Sequence, residues 1–160
     1  VALEPHGEYV VKHLKESLLR DGDADAFRMG AIDLASEASI LAEMRHPNVI
    51  AFHGIMGTSL VLEKLSCTLL DQILLWRAEG QLPYFRGFLP LAPPSLACRI
   101  KRSEPLELRL RAALDIAEGL RYVHGAGVMH RDLKPDNVGF TSGGVAKIFD
   151  FGLAKKFDPA

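Results

Sequence analysis

The chain has 160 residues, of which 48% are hydrophobic, and its 19 Lys and Arg residues nearly balance its 20 Asp and Glu residues. This length and hydrophobic content are sufficient for a buried core, which excludes an intrinsically disordered chain and a miniprotein that depends on disulfides. The formal net charge of -1 predicts no basic surface for nucleic acid or for an anionic membrane.

No segment has the sustained apolar length of a membrane helix, and the first residues lack the basic and apolar blocks of a signal peptide. Cys67 and Cys98 are too few for a disulfide scaffold and show no CxxC spacing. Reduced thiols and a cytoplasmic or nuclear location are therefore expected.

The first predicted strand covers residues 9–14, a β-rich run in which Lys12 shares one face with Val10 and Leu14. Residues 16–30 contain an Asp-Gly-Asp sequence and several charges. This composition indicates a turn or an exposed excursion of the chain before the first helix.

A helix is predicted over residues 33–45, where apolar residues recur at helical spacing. Glu37 lies on the apolar stripe of this helix, because it follows Leu34 by three residues and precedes Leu41 by four. A carboxylate on an apolar face is costly to bury without a partner, and so is a lysine on the inward face of a strand. Pro47 ends the helix, since proline cannot continue the hydrogen-bond ladder.

Residues 49–53 and 59–62 are predicted to form an antiparallel pair of strands, because they are β-rich runs separated by glycines. A short helix is predicted over residues 68–76, where apolar residues again recur at helical spacing. Residues 77–103 are interrupted throughout by glycine and proline and are predicted as a long loop or insertion.

The strongest helical pattern covers residues 106–124, with Gly125 available to end the helix. Its apolar stripe, which is predicted to face the core, consists of Leu110, Ala113, Leu114, Ala117 and Leu120. Further along the chain, residues 138–140 and 145–149 flank Ser142-Gly143-Gly144, and this arrangement indicates a hairpin.

One stretch carries a more specific pattern than any other, namely His130-Arg131-Asp132-Leu133-Lys134-Pro135-Asp136-Asn137, followed by Asp150-Phe151-Gly152. Asp-Phe-Gly alone is a weak signal, because Asp and Gly are common in turns and Phe is common in cores. A purely structural loop, however, has no reason to require the charge order of residues 130–137. Together the two segments resemble the catalytic loop and the metal-binding loop of eukaryotic protein kinases, and Lys134 with Pro135 resembles the serine/threonine type.

This resemblance implies an α+β fold, a truncated form of the two-lobed protein kinase fold. Residues 1–65 would form part of the N-terminal lobe, a small antiparallel sheet with one helix, and the hinge. Residues 66–160 would begin a helical lobe with the insertion at 77–103, the catalytic loop at 130–137 with its hairpin, and the metal-binding loop at 150–152.

By the same resemblance, Asp132 is the base that positions the acceptor hydroxyl and takes its proton, and Lys134 stabilises charge on the transferred phosphate. Asn137 and Asp150 match the two positions that bind Mg²⁺ through hard oxygen ligands. The predicted hairpin between them returns the chain, so that both residues reach one site.

Lys12 matches the strand lysine that contacts the α- and β-phosphates of ATP, and Glu37 matches the helix carboxylate that pairs with it. The cost of burying either charge alone supports this pairing. Glu63-Lys64-Leu65 resembles the hinge, where backbone groups of Glu63 and Leu65 would receive the adenine.

The implied function is transfer of the γ-phosphoryl group of Mg-ATP to hydroxyl groups of a protein substrate, with ATP and Mg²⁺ as cofactors. No nucleic-acid or membrane partner is expected, and the oligomeric state is left open. The sequence has no GxGxxG loop before Lys12 and only the start of an activation segment after Gly152. We therefore expect the central part of a longer kinase, inactive on its own.

Two alternatives stay open. A pseudokinase or nucleotide-binding scaffold would bind without catalysis, but the presence of Asp132, Asn137 and Asp150 argues against it. A small-molecule phosphotransferase of the kinase-like superfamily also uses an aspartate and an asparagine on its catalytic loop, but the full His-Arg-Asp-Leu-Lys-Pro run argues against that reading.

Overall fold

The computed structural model describes residues 2–6, 8–14, 24–78 and 105–157. In chain order the elements are β1 (Ala2–His6), β2 (Tyr9–His13), α1 (Ala24–Glu43), β3 (Phe52–Met56), β4 (Ser59–Glu63), β5 (Cys67–Thr68), α2 (Leu69–Ala78), α3 (Pro105–Gly125), β6 (Val128–Met129), a 3-10 helix (Pro135–Asn137), β7 (Val138–Phe140), β8 (Ala146–Ile148) and β9 (Lys155–Lys156).

Four antiparallel strands form the first sheet, in the order β1-β2-β4-β3. β2 pairs with β4 so that Lys12 lies opposite Leu60. The predicted antiparallel pair of β3 and β4 is confirmed, although β3 begins at Phe52 and not at residue 49. β1 has no counterpart among the predicted strands, because its sequence contains a proline and no β-branched residue.

α1 begins at Ala24, whereas the apolar pattern predicts a helix only from residue 33. The prediction of a turn or exposed excursion over residues 16–30 is therefore wrong for residues 24–30, and residues 15–23 lie outside the described part. Phe27 packs against the main core, and this contact favours helix well before the regular apolar stripe begins. The helix ends at Glu43, shortly before Pro47.

α2 begins where Thr68 and Asp71 cap each other. The Asp71 amide donates to Thr68 Oγ1 at 3.1 Å, and the Thr68 amide donates to the Asp71 carboxylate at 2.9 Å. The predicted short helix is confirmed and extends to Ala78, so the loop predicted from residue 77 begins later than expected. Residues 79–104, which hold the rest of the predicted insertion, lie outside the described residues.

The chain crosses to the second part of the molecule directly after β4. The Lys64 amide donates to the Glu8 carbonyl at 3.1 Å, whereas the Ser66 amide donates to the Phe140 carbonyl at 2.7 Å. β5, β7 and β8 form the second sheet in the order β5-β7-β8, and β6 pairs with β9. The predicted hairpin is confirmed, because β7 and β8 are antiparallel partners.

α3 buries a different face from the predicted one. The predicted stripe is exposed at Ala113, at Ala117, and at Leu110 and Leu114, which are 61% and 60% exposed, and only Leu120 of this stripe packs against the core. The helix instead buries Leu108, Ala112, Gly119 and Val123. Both faces carry apolar residues, so helical periodicity alone cannot identify the face that packs. The missing side chain of Gly119 decides this, because the Asn48 carbonyl oxygen lies 2.8 Å from the position that a Cβ would occupy.

One core cluster joins the two parts of the molecule, since it contains Leu41 of α1, Leu60 of β4, Ile148 of β8 and Phe151. The predicted α+β class is confirmed, with a small antiparallel sheet and one helix followed by a region of helices and a hairpin. Among the helices that the structure describes, none is long and apolar enough to cross a membrane.

Cys67 is disulfide-bonded, so the prediction of reduced thiols is wrong at this residue. Cys98 lies outside the described residues. Composition cannot decide whether cysteines meet, because their approach depends on the path of the chain between them.

Candidate active site

Three charged side chains meet between the first sheet, α1 and the segment after β8. Lys12 Nζ donates to both carboxylate oxygens of Glu37 at 2.7 Å and to Asp150 Oδ1 at 2.6 Å. The side chains of Lys12 and Glu37 are only 9% and 2% exposed, whereas that of Asp150 is 43% exposed. One buried cation therefore holds two carboxylates, of which the second remains accessible to solvent.

Glu37 connects three elements at this point. Burial raises the pKa of its carboxyl group, and the ammonium of Lys12 opposes that rise. The carboxylate also accepts a hydrogen bond from the Phe151 amide at 3.2 Å. Glu37 on α1 therefore fixes both the lysine of β2 and the backbone of the segment that follows Asp150.

One residue in each of the segments 130–137 and 150–152 has a left-handed backbone conformation. Arg131 has a φ of 65° and Asp150 a φ of 61°. Such conformations cost about 1–3 kcal/mol each in a residue other than glycine and persist only where the surroundings hold them. Arg131 is held through its Nε, which donates to the Leu153 carbonyl at 2.6 Å, and Asp150 is held by Lys12.

Asp132 is surrounded by donors from its own loop. Lys134 Nζ donates to Asp132 Oδ2 at 2.7 Å, and Asn137 Nδ2 donates to the same oxygen at 2.8 Å and to the Asp132 carbonyl at 2.9 Å. The 3-10 helix that ends at Asn137 turns the chain back and makes these contacts possible. The hydrogen bond from Lys134 lowers the pKa of Asp132, and the same contact raises the pKa of Lys134. Asp132 is therefore an ionised carboxylate with a neighbouring cation.

His130 links the two segments. Its ring is buried, its Nε2 donates to the Phe149 carbonyl at 3.0 Å, and its edge meets the Phe151 ring with 4.8 Å between centroids. Burial lowers the pKa of His130, so the ring is neutral at physiological pH. These contacts fix the start of the 130–137 segment relative to Asp150.

A cavity of about 430 Å³ lies against these groups. Its walls consist of Val10, Lys12, Ile50, Leu62, Glu63, Leu65, Cys67, Thr68, Asp71, Phe149 and Asp150. Ligand cavities of proteins have about this size and this mixture, mainly apolar walls with a few placed polar groups.

Glu63 and Leu65 both lie on the cavity wall, but their polar groups differ in availability. Glu63 Oε2 accepts hydrogen bonds from Lys147 Nζ at 2.7 Å and from the Ala51 amide at 3.1 Å. Among the described residues, the backbone of Leu65 has no hydrogen-bond partner. A ligand in the cavity can therefore use the backbone of Leu65, whereas the carboxylate of Glu63 is already engaged.

The residues singled out in the sequence form two groups and a wall. Lys12, Glu37 and Asp150 form the first group, Asp132, Lys134 and Asn137 form the second, and Glu63 and Leu65 lie on the cavity wall. The two groups are connected through Phe149, whose amide donates to the Asn137 carbonyl at 3.0 Å and whose carbonyl accepts a hydrogen bond from the buried ring of His130.

Lys147 belongs to the site surroundings but is absent from the sequence predictions. It stands between Ala146 and Ile148, which are both fully buried. A lysine within a buried strand needs a partner of opposite charge. A lysine between apolar residues of a predicted strand is a signal that the sequence contains at Lys147 as it does at Lys12.

Two side chains of the candidate site carry oxygen ligands of the type that Mg²⁺ prefers. The Asp150 carboxylate and the side-chain oxygen of Asn137 are hard ligands, and Mg²⁺ typically takes one or two protein carboxylates together with water and phosphate oxygens. Within residues 8–14, 25–77 and 106–157, no group of three or more His, Cys, Asp or Glu residues could hold a metal ion by itself.

Comparison with known proteins gives the family. A family model described as the protein kinase domain matches residues 3–160. The chain is 31% identical over 132 residues to a probable serine/threonine-protein kinase of Arabidopsis thaliana, covering 79% of this chain and 19% of the relative. It is 31% identical over 150 residues to a probable serine/threonine-protein kinase of Dictyostelium discoideum, covering 92% and 17%. It is 34% identical over 129 residues to dual specificity testis-specific protein kinase 1 of Mus musculus, covering 75% and 16%, so the chain spans less than a fifth of these relatives.

Proposed function

Because this chain belongs to the protein kinase family, we propose that it is the nucleotide-binding and catalytic part of a serine/threonine-protein kinase that transfers the γ-phosphoryl group of Mg-ATP to protein hydroxyl groups. The observation that carries the proposal is one buried lysine, Lys12, which holds Glu37 and the accessible Asp150 at the wall of a cavity of about 430 Å³. The serine/threonine preference rests on Lys134 and on the names of two relatives, whereas the third relative is named a dual specificity kinase.

The nucleotide is proposed to bind with its adenine against the backbone of Glu63 and Leu65 and its α- and β-phosphates against Lys12. Phosphate oxygens then compete with Asp150 for the lysine ammonium, while Glu37 keeps the ammonium in place. The released Asp150 carboxylate, together with Asn137, would hold Mg²⁺, which neutralises phosphate charge when bound.

Phosphoryl transfer needs positioning and charge neutralisation more than covalent chemistry. Asp132 is proposed to accept the proton of the substrate hydroxyl, since its lowered pKa keeps it ionised. Lys134 would neutralise charge on the transferred group. Asn137 Nδ2 donates to the carboxylate of Asp132 at 2.8 Å and orients it. Asn137 would therefore contribute both to the position of the proton acceptor and to the metal site.

The chain alone is proposed to be inactive and to work within a longer protein, in the cytoplasm or nucleus. The support for the longer protein is that the chain spans less than a fifth of the relatives that it matches.

Equilibrium binding of Mg-ATP to the full-length protein tests the proposal. Lys12→Met is expected to raise the Kd about 10- to 100-fold, because it removes charged hydrogen bonds worth about 1.5–3 kcal/mol. Lys155→Met, at an exposed lysine of β9, is the matched control and is expected to leave the Kd unchanged.

An acceptor panel then separates the candidate activities. Transfer to serine or threonine of a protein is the expected result. Transfer to an aminoglycoside only would support a small-molecule phosphotransferase, and binding without any transfer would support a pseudokinase. If the full-length protein does not bind Mg-ATP at all, the proposal is wrong.

A further inference from the structure

A second, partly buried ion pair lies beside the cavity, since one of its members, Glu63, lines the cavity wall. Lys147 Nζ donates to Glu63 Oε2 at 2.7 Å, and the two side chains are 13% and 23% exposed. Glu63 is the last residue of β4, whereas Lys147 is the middle residue of β8. The pair, here called the Glu63–Lys147 bridge, therefore joins the first sheet to the hairpin of the second part of the molecule.

The backbone between these strands forms part of the same connection. Glu63 donates its amide to the Ala51 carbonyl at 2.9 Å and accepts the Ala51 amide on its carboxylate at 3.1 Å. On the other side, the Ile50 amide donates to the Ile148 carbonyl and the Ile148 amide to the Asn48 carbonyl, both at 2.9 Å. Residues 48–51 are thus held between β4 and β8. The Glu63–Lys147 bridge adds a direct contact between these two strands.

The bridge joins two segments of the chain that contribute residues to the cavity wall. Leu62 and Glu63 of β4 line the cavity from one side, and Phe149 and Asp150, which follow β8, line it from the other. The chain runs from Glu63, the last residue of β4, to Leu65, and from the end of β8 at Ile148 to Asp150. The separation of these walls therefore depends on contacts between β4, residues 48–51 and β8.

We infer that the Glu63–Lys147 bridge sets the width of the nucleotide cavity, and that both residues are positioning residues for the nucleotide. They act through the backbone of Leu65 and the carboxylate of Asp150, since the carboxylate of Glu63 is turned to Lys147 and Ala51. This inference rests on the proposed function and assigns the Glu63 side chain a role distinct from its backbone.

The expected effect follows from the partial burial of the pair. Removing one partner leaves a charge with little access to water, and the local structure relaxes to solvate it. If the cavity widens, part of the binding free energy of the nucleotide is used to close it again, so the affinity for the nucleotide falls. The chemical step is expected to change less than the affinity, because the side-chain hydrogen bonds of Asp132, Lys134 and Asn137 lie within their own loop.

The test is a double-mutant cycle in the full-length protein, with the Kd of Mg-ATP and kcat as readouts and circular dichroism as a check of folding. Lys147→Met and Glu63→Gln are each expected to raise the Kd about tenfold, equivalent to about 1.4 kcal/mol, with kcat near that of the unaltered protein. The double variant is expected to resemble either single variant, because the two changes remove one shared interaction. Lys147→Arg, which keeps the charge, is expected to retain the affinity.

A matched control is the exposed pair of Lys156 and Glu43, which has the same 2.7 Å distance but side chains that are 50% and 60% exposed. Lys156→Met is expected to leave both the Kd and kcat unchanged. Three results would each overturn the inference and leave the proposed function intact. The first is an unchanged Kd in Lys147→Met and Glu63→Gln, and the second is a Kd raised about a hundredfold in the double variant, which would mean that the two changes act independently. The third is an equal rise in Kd for Lys147→Arg and Lys147→Met. Absence of Mg-ATP binding in the unaltered protein would overturn both.

Discussion

Glu37 and Asp132 are carboxylates of the same site, and their surroundings act on them in opposite directions. Glu37 is buried, so desolvation raises its pKa even though Lys12 is its direct partner. Asp132 lies in its loop with Lys134 as a hydrogen-bond donor, and this contact lowers its pKa. The first carboxylate holds Lys12 inside the protein, and the second stays ionised, which is the state that its proposed role as proton acceptor requires.

These opposite shifts predict opposite pH dependences of stability. The stability that Glu37 contributes is present below the ordinary glutamate pKa and is lost as pH rises through the raised value. The stability that Asp132 contributes is present above the ordinary aspartate pKa and is lost as pH falls through the lowered value.

Urea unfolding of this chain at a series of pH values measures both effects. The free energy of unfolding of the unaltered chain minus that of Glu37→Gln should decrease as pH rises. The corresponding difference for Asp132→Asn should decrease as pH falls, and Asp136→Asn, at an exposed carboxylate of the same loop, is the control. The same sign of dependence for Glu37 and Asp132 would contradict the assignment.

At the residue scale, local patterns in the sequence marked the charged side chains of the candidate site but not the residues that hold them in place. The charge order of residues 130–137 and the acid on an apolar stripe at Glu37 are local patterns, and the structure brings these residues into hydrogen-bonded groups. The partner of Glu63 is 84 positions away in the sequence, so only the folded chain identifies Lys147 as that partner.

At the scale of elements, α3 has two apolar faces, and only one is buried in the described residues. Leu108 is 8% exposed, whereas Leu106, Leu110 and Leu114 are at least 60% exposed. Periodicity predicts a helix correctly here but not its orientation, because the choice of face depends on contacts distant in sequence. The early start of α1 has the same explanation, since Phe27 packs against residues distant in sequence.

Alanine substitutions on the two faces of α3 test this orientation. In this chain, Leu110→Ala is expected to change the free energy of unfolding by less than about 0.5 kcal/mol, as at other surface sites. Leu108→Ala, the matched control on the buried face, is expected to cost about 2–5 kcal/mol. Urea denaturation gives both values, and an equal cost at the two positions would contradict the observed orientation.

Two glycines of α3 provide a second test, of how closely the helix packs. Glycine to alanine normally stabilises a helix interior by about 1 kcal/mol. A Cβ at Gly119 would lie 2.8 Å from the backbone oxygen of Asn48, whereas Gly125 has no neighbouring atom within 4 Å. Gly119→Ala is therefore expected to destabilise the chain by about 1–3 kcal/mol, because backbone must shift.

Gly125→Ala is the matched control and is expected to be neutral or slightly stabilising. Thermal unfolding monitored by circular dichroism measures both variants. A rise in Tm for Gly119→Ala would show that α3 and the segment at Asn48 do not approach as closely as described.

At the scale of the whole molecule, the loop after α1 joins the two parts. The Arg45 amide donates to the Tyr122 hydroxyl of α3 at 2.8 Å, and the ring of His46 stacks on the Tyr122 ring with 4.8 Å between centroids. The main core also contains residues from both parts. The charged group around Lys12 is therefore held in a fixed relation to the loop that carries Asp132.

The α+β class followed from the order of local patterns, because each strand run, helix run and glycine turn is a short-range feature. Strand β1, the face of α3 and the disulfide at Cys67 did not follow, because each depends on contacts between distant parts of the chain. Tertiary contacts, more than local propensity, decided every point at which the prediction and the structure differ.

The most direct test of the central claim is transfer of labelled γ-phosphate from Mg-ATP to a protein acceptor by the full-length protein. Asp132→Asn is expected to reduce kcat about 10²- to 10⁴-fold with little change in the Kd of Mg-ATP, because it removes the proton acceptor and leaves the nucleotide cavity intact. Asp136→Asn, the control in the same loop, should transfer phosphate like the unaltered protein. Equal activity of Asp132→Asn and the unaltered protein, or no transfer by the unaltered protein, would contradict the claim.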